Sequence, residues 1–95
     1  MKILAIENEI VDINWSLETE TLRNESEQVY KLYLAGYIRE LYFNEHHNAV
    51  IILECETVAH ANELIKTLPL IIKGLIKFDV MQLNPYTGFD RIISL

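Results

Sequence analysis

Ninety-five residues with 51% hydrophobic and 23% charged side chains make one small domain, 1–95, and exclude a disordered tail or a fibre. Fourteen acidic side chains against eight basic ones give a formal charge of −6, which argues against non-specific nucleic-acid binding and against docking on anionic lipid. The single cysteine, Cys55, rules out an internal disulfide, and with three histidines it supplies no cysteine-type structural zinc site.

The start, MKILAIENEI, turns acidic after a short apolar run and reads as neither a secretory signal nor a targeting peptide. No stretch approaches the roughly 20 apolar residues of a membrane helix, so the expected setting is the cytoplasm. Residues 2–7 form an apolar run bounded by polar residues, the pattern of a buried strand. A loop with Asp12 and Asn14 leads into a long amphipathic helix over residues 17–35, with Ser16 as its N-cap. Leu22, Val29, Leu32 and Tyr33 define its apolar stripe, Tyr30, Tyr33 and Tyr37 read as core with polar tips, with an aromatic ladder lining a ligand cavity as the alternative, and Gly36 ends it.

Ile38–Phe43 is β-prone, Asn44–Asn48 is a polar turn, and Ala49–Cys55 is a second apolar strand, together a hairpin. Thr57 caps a second helix in which Ala61, Leu64, Ile65 and Leu68 share one face, and Pro69 stops it. A last strand spans Leu75–Leu83, and residues 84–95 form a tail with a turn at Pro85–Gly88. The order β-α-β-β-α-β is the ferredoxin-like arrangement, an α+β fold on a four-stranded antiparallel sheet with the first and third strands central.

Two helices cover one face of such a sheet. In the first strand, however, both Ile3/Ala5 and Leu4/Ile6 are apolar, as are Val50/Ile52 and Ile51/Leu53 in the third. Strands that are apolar on both faces are buried on both, so the open face is expected to meet a second copy, sheet to sheet.

Gly36-x-x-Arg39-x-Leu41, Leu68-Pro69-Leu70, Asp79 and Pro85 occur in an order and spacing that resemble the muconolactone isomerase-like family of dimeric α+β barrels, over roughly residues 18–86. The resemblance implies a ferredoxin-like protomer, a homodimer and larger ring-like assembly, and a cofactor-free proton shift within an unsaturated lactone or similar small acid. The chain departs from the isomerases where it has Glu40 in place of His and Tyr42 in place of Trp, and in its Tyr86-Thr87-Gly88-Phe89 tail.

Such chemistry needs a base beside the carbon acid and a cation or hydrogen-bond donor for the developing enolate. Arg39 suits a carboxylate or enolate, and neighbouring Glu40 points to the opposite face, so one of the two looks into the barrel and the other toward the helices or the sheet edge. Glu40 or Glu54 is the expected base, while Asp79, Tyr42, Tyr86 and Phe89 are candidate ligand contacts near the barrel mouth. His46 and His47 sit at a solvated turn and make no metal site, and Cys55 reads as a small buried hydrophobe. Glycines at 36, 74 and 88 cannot form a phosphate-cradling loop, so no dinucleotide or triphosphate is expected, and the resemblance implies an activity with no cofactor or metal. Two other expectations compete: a non-catalytic ligand-binding or assembly module on the same architecture, and a haem-degrading or cofactor-independent monooxygenase.

Overall fold

The computed structural model describes residues 1–93. Four strands, β1 (Lys2–Glu9), β2 (Ile38–Phe43), β3 (Ala49–Glu54) and β4 (Ile76–Leu83), form one antiparallel sheet in the order β2-β3-β1-β4. The two apolar strands are the central pair, as their patterning requires. Helices α1 (Thr19–Leu34), α2 (Val58–Ile65) and α3 (Pro69–Ile72) cover one face. The fold is α+β and ferredoxin-like.

Strand alternation sorts the side chains. Ile3, Ala5, Ile51, Leu53, Ile38 and Ile76 are buried toward the helices, where Leu32, Ala61, Ile65, Leu68 and Leu70 meet them. Burying each large aliphatic side chain contributes about 1.5–3 kcal/mol. Glu7 continues the Ile3/Ala5 series and is the one buried charged residue described, at 8% exposure. The other face presents Leu4, Ile6, Val50 and Ile52, half-buried in the single chain, and exposed Met81.

The helix boundaries differ from the sequence reading in instructive ways. Ser16 does not cap α1: Asn14 caps a 3₁₀ turn at Trp15–Leu17, its side chain accepting from the Ser16 N–H, and α1 follows at Thr19 with Glu18 before it and no side-chain cap. Pro69 opens a helix as well as following one. α2 ends at Ile65, and Pro69 is the first residue of α3, where its missing N–H costs nothing. The Thr57 hydroxyl caps α2 as expected, accepting from the His60 N–H at 3.0 Å. Gly36 lies at φ +86°, and the bonds Tyr37 N–H to Leu32 O and Gly36 N–H to Tyr33 O close the Schellman pattern at the end of α1. Gly74, at φ +76°, closes α3 in the same way. The tail shows no turn at Pro85–Gly88; a 3₁₀ turn follows at Gly88–Arg91.

Candidate active site

The site is built on the helix-covered side, where α1 stands away from the β1–β3–β2 end of the sheet. A half-open cavity of about 970 Å3 lies between them. The α1 wall is Leu22, Glu25, Ser26, Val29, Tyr30 and Tyr33. This is the helix's apolar stripe, and the cavity explains why it is only partly covered: Leu22 is 38% and Tyr33 51% exposed, although they face the protein. The sheet wall comes from Glu7, Ala49, Ile51, Leu41, Phe43 and Phe78. Trp15, Leu70, Glu9, Tyr42 and the turn histidines His46 and His47 complete the lining.

The turn owes its shape to Asn44, whose side-chain oxygen accepts from the backbone N–H groups of His46 and Asn48 at 3.0 and 2.9 Å. That Asx geometry leaves His47 at φ +62°, with its ring stacked on Phe43 at 4.2 Å. The hairpin tip therefore carries a fixed aromatic pair at the cavity, and neither histidine joins a metal cluster; no such cluster occurs among the described residues.

Two carboxylates give the cavity its chemistry. Glu7 is enclosed among strand side chains, and loss of hydration raises its pKa, against an opposing effect of the Ala49 N–H. Glu25 is half-buried on α1, and desolvation raises its pKa too, with the nearby Glu7 charge acting in the same direction. One Glu25 oxygen accepts from the buried Leu70 N–H at 2.9 Å. α3 has no side-chain cap of its own, so Glu25 reaches across from α1 to satisfy one of its free N–H groups. That bond fixes the carboxylate at the cavity wall. Acidic groups in a cleft, each kept above its ordinary range, are the arrangement from which proton transfer near neutral pH is built.

Of the catalytic and ligand-contact candidates named from the sequence, only Tyr42 lines this cavity, whereas the helix tyrosines Tyr30 and Tyr33, expected in the core, are exposed and line it too. Its hydroxyl donates to Glu40 at 2.8 Å, a bond that raises the Tyr42 pKa. The expected strict alternation at Arg39 and Glu40 fails, because the β2–β3 register shifts between Ile38 and Glu40. Arg39 is exposed, and its Nε donates to the Gly36 carbonyl at 2.7 Å. Glu40 lies opposite Ile52 and Glu54 opposite Lys2, both on the open face of the sheet. Glu54 accepts from the Met1 amino group at 2.9 Å, which lowers its pKa, and the Arg39 charge adds to the effect. Asp79, also on the open face, accepts from Asn8 at 2.7 Å. Tyr86 and Phe89 pair edge-to-face at 5.2 Å on the exposed tail. Cys55 is buried, and desolvation raises its pKa, the opposite of an activated nucleophile.

The sequence reading passed over Glu7, Glu25 and Trp15. A signal existed for the two acids. Glu7 shares strand parity with Ile3 and Ala5, and Glu25 falls within the Leu22–Val29 stripe, so each is an acid at a position the pattern reserves for apolar residues.

No family model and no curated protein matches this chain. Among solved structures, it superposes on muconolactone isomerase with a TM-score of 0.77 at 16% identity, covering 93% of each chain. It also superposes on 5-chloro-2-hydroxyhydroquinone dehydrochlorinase from Burkholderia phenoliruptrix AC1100, solved with 2,5-dihydroxybenzoquinone, with a TM-score of 0.68 at 10% identity, covering 90% of this chain and 97% of that one. No helix among the described residues is long and apolar enough to cross a membrane. Across nearly its whole length, the chain has the muconolactone isomerase-like fold.

Proposed function

We propose that the protein is a cofactor-independent acid–base enzyme that moves a proton within a small unsaturated ring compound bound between α1 and the sheet. The observation that carries this reading is the pair of desolvated carboxylates, Glu7 and Glu25, lining an otherwise largely apolar and aromatic cavity. Its likeness in fold to an isomerase and a dehydrochlorinase of ring compounds supports the same class of chemistry.

In this mechanism Glu25, ionised and held in place by the Leu70 N–H, takes a proton from a ring carbon next to a conjugated carbonyl. The C–H electron pair moves into the conjugated system, and negative charge develops on the carbonyl oxygen. Glu7, whose burial makes its proton harder to lose than that of a solvated carboxyl, donates a hydrogen bond to that oxygen from its protonated form. Glu25 then returns the proton to a different carbon of the conjugated system, and the ring compound leaves as its isomer.

The proposal includes a homodimer formed across the open sheet face. Leu4, Ile6, Val50 and Ile52 supply its apolar centre. Arg39, Glu40 and Glu54 then belong to the rim of that interface rather than to the proton-transfer site.

Proton exchange tests the function directly. In deuterated buffer the protein should catalyse exchange of the α-protons of an enolisable ring ketone such as 2-tetralone, followed by proton NMR. Glu25→Gln should reduce the catalysed rate by about 10²-fold or more, the usual scale for a lost general base. Exchange that continues unchanged in Glu25→Gln removes Glu25 from the mechanism.

A further inference from the structure

All eight basic side chains of the protein lie away from the cavity: neither lysine nor arginine contributes to its lining among the described residues. Several are committed elsewhere. Arg23 pairs with Glu27 on the outer face of α1, Lys73 pairs with Glu18, and Arg39 is bonded to the Gly36 carbonyl. Lys2 and Lys77 are on the open face of the sheet, opposite Glu54 and Asn8 in the neighbouring strands.

The lining does contain three carboxylates, Glu7, Glu9 and Glu25. Glu7 is more than nine-tenths buried, and no protein side chain donates to it among the described bonds. Among the described residues, the only cavity groups able to carry positive charge are the imidazoles of His46 and His47, and His47 has its ring face committed to Phe43. An anion entering this space meets the Glu25 carboxylate in a weakly screened setting and finds no fixed cation as partner, so its own desolvation goes uncompensated. The remaining walls are flat or aliphatic: Trp15, Tyr30, Tyr33 and Phe78, with Leu22 and Val29. A volume of about 970 Å3 is also more than one five- or six-membered ring fills.

We infer that the cavity selects an uncharged, flat, unsaturated ligand of about two fused rings, bearing a hydroxyl or an acidic C–H to present to Glu25, and rejects ligands that carry a carboxylate. This inference rests on the proposed site but not on its catalysis. The aromatic walls would stack on the ring faces, and Glu25 would accept from the ligand's donor edge.

Size-matched probes separate the possibilities: 2-naphthol, uncharged with a donor hydroxyl, and 2-naphthoate, a carboxylate, each titrated into the full chain at pH 7.5 with protein NMR as readout. The expected result is tighter binding of 2-naphthol by at least about tenfold, with shifts at Phe43, Phe78 and Val29. In the doubly substituted Glu7→Gln/Glu25→Gln protein, confirmed folded by circular dichroism, that ratio should fall several-fold because the repulsion is removed. Equal or tighter binding of 2-naphthoate by the unsubstituted protein overturns the inference, as does binding of neither probe. Preferential 2-naphthol binding without 2-tetralone exchange leaves the ligand class standing and removes the catalytic proposal. Exchange together with preference for 2-naphthoate does the reverse.

Discussion

Replacing Glu25 by alanine and by glutamine separates its structural work from its chemistry. Both substitutions remove the charge, so both relieve the desolvation that raises its pKa. Only alanine removes the acceptor for the Leu70 N–H, a 2.9 Å bond to the backbone of a residue that is 4% exposed. Glutamine keeps a carbonyl oxygen at the same reach. Leaving a buried donor unpaired costs about 1–3 kcal/mol. For a domain of this length, each kilocalorie corresponds to about 4–8 °C in melting temperature. Glu25→Ala should therefore melt on the order of 10 °C below Glu25→Gln when unfolding is followed by circular dichroism at neutral pH. Both variants should lose proton exchange alike. Equal melting temperatures would show that the bond across to α3 does not hold the cavity wall, and the positioning argument for the base would go with it.

The two raised carboxylates also set a pH dependence. An acid whose pKa is higher in the folded than in the unfolded state binds its proton more tightly when folded, so its ionisation destabilises the fold. For Glu7 and Glu25 that cost is absent below the ordinary value of 4.5 and grows as pH rises through the raised folded values. Relative to wild type, Glu7→Gln/Glu25→Gln should thus gain stability between pH 4 and pH 8 in urea titrations; a constant difference would contradict the burial argument. Thr57→Ala removes the 3.0 Å cap on α2 and should cost about 1 kcal/mol in the same titrations, whereas Thr57→Ser should cost little. Gly36→Ala meets no atom within 4 Å but must hold φ near +86°, so it should cost about 1 kcal/mol through backbone conformation alone, with Gly36→Asn milder. Leu4→Lys with Ile52→Lys should give a monomer by analytical ultracentrifugation if the open face is an interface, and an unchanged mass would exclude that face.

Much of the architecture follows from local pattern. The apolar runs at Ile3–Ile6 and Val50–Leu53 require the centre of a sheet, and the topology puts β1 and β3 there. Thr57 as a cap and Gly36 as a terminator act within a few residues of themselves, so sequence suffices to find them. The Pro69 boundary was harder, because a proline after one helix can equally open the next, and which occurs depends on where Leu70 and Ile71 find cover.

The site was not legible in the same way. Arg39, Glu40 and Glu54 drew attention because they are polar on a strand, but strand parity and the shifted register after Ile38 set them outside the cavity. Glu7 and Glu25 are separated in sequence by a loop with its 3₁₀ turn and the first turns of α1. Each interrupts an apolar pattern, which is the trace a buried functional acid leaves, yet that trace alone does not say the two face one space.

Sequence alone determined the order of the four strands and two main helices, the central strands, the helix signals at Thr57 and Gly36 and the charge balance, because those depend on periodicity and on contacts within one turn or hairpin. Only the tertiary structure decided that α1 stands off the sheet and that Glu25 reaches α3. It alone showed that the cavity between them has three carboxylates and no fixed cation. Such properties depend on which distant side chains share a dielectric boundary, and that is set by packing rather than by spacing along the chain.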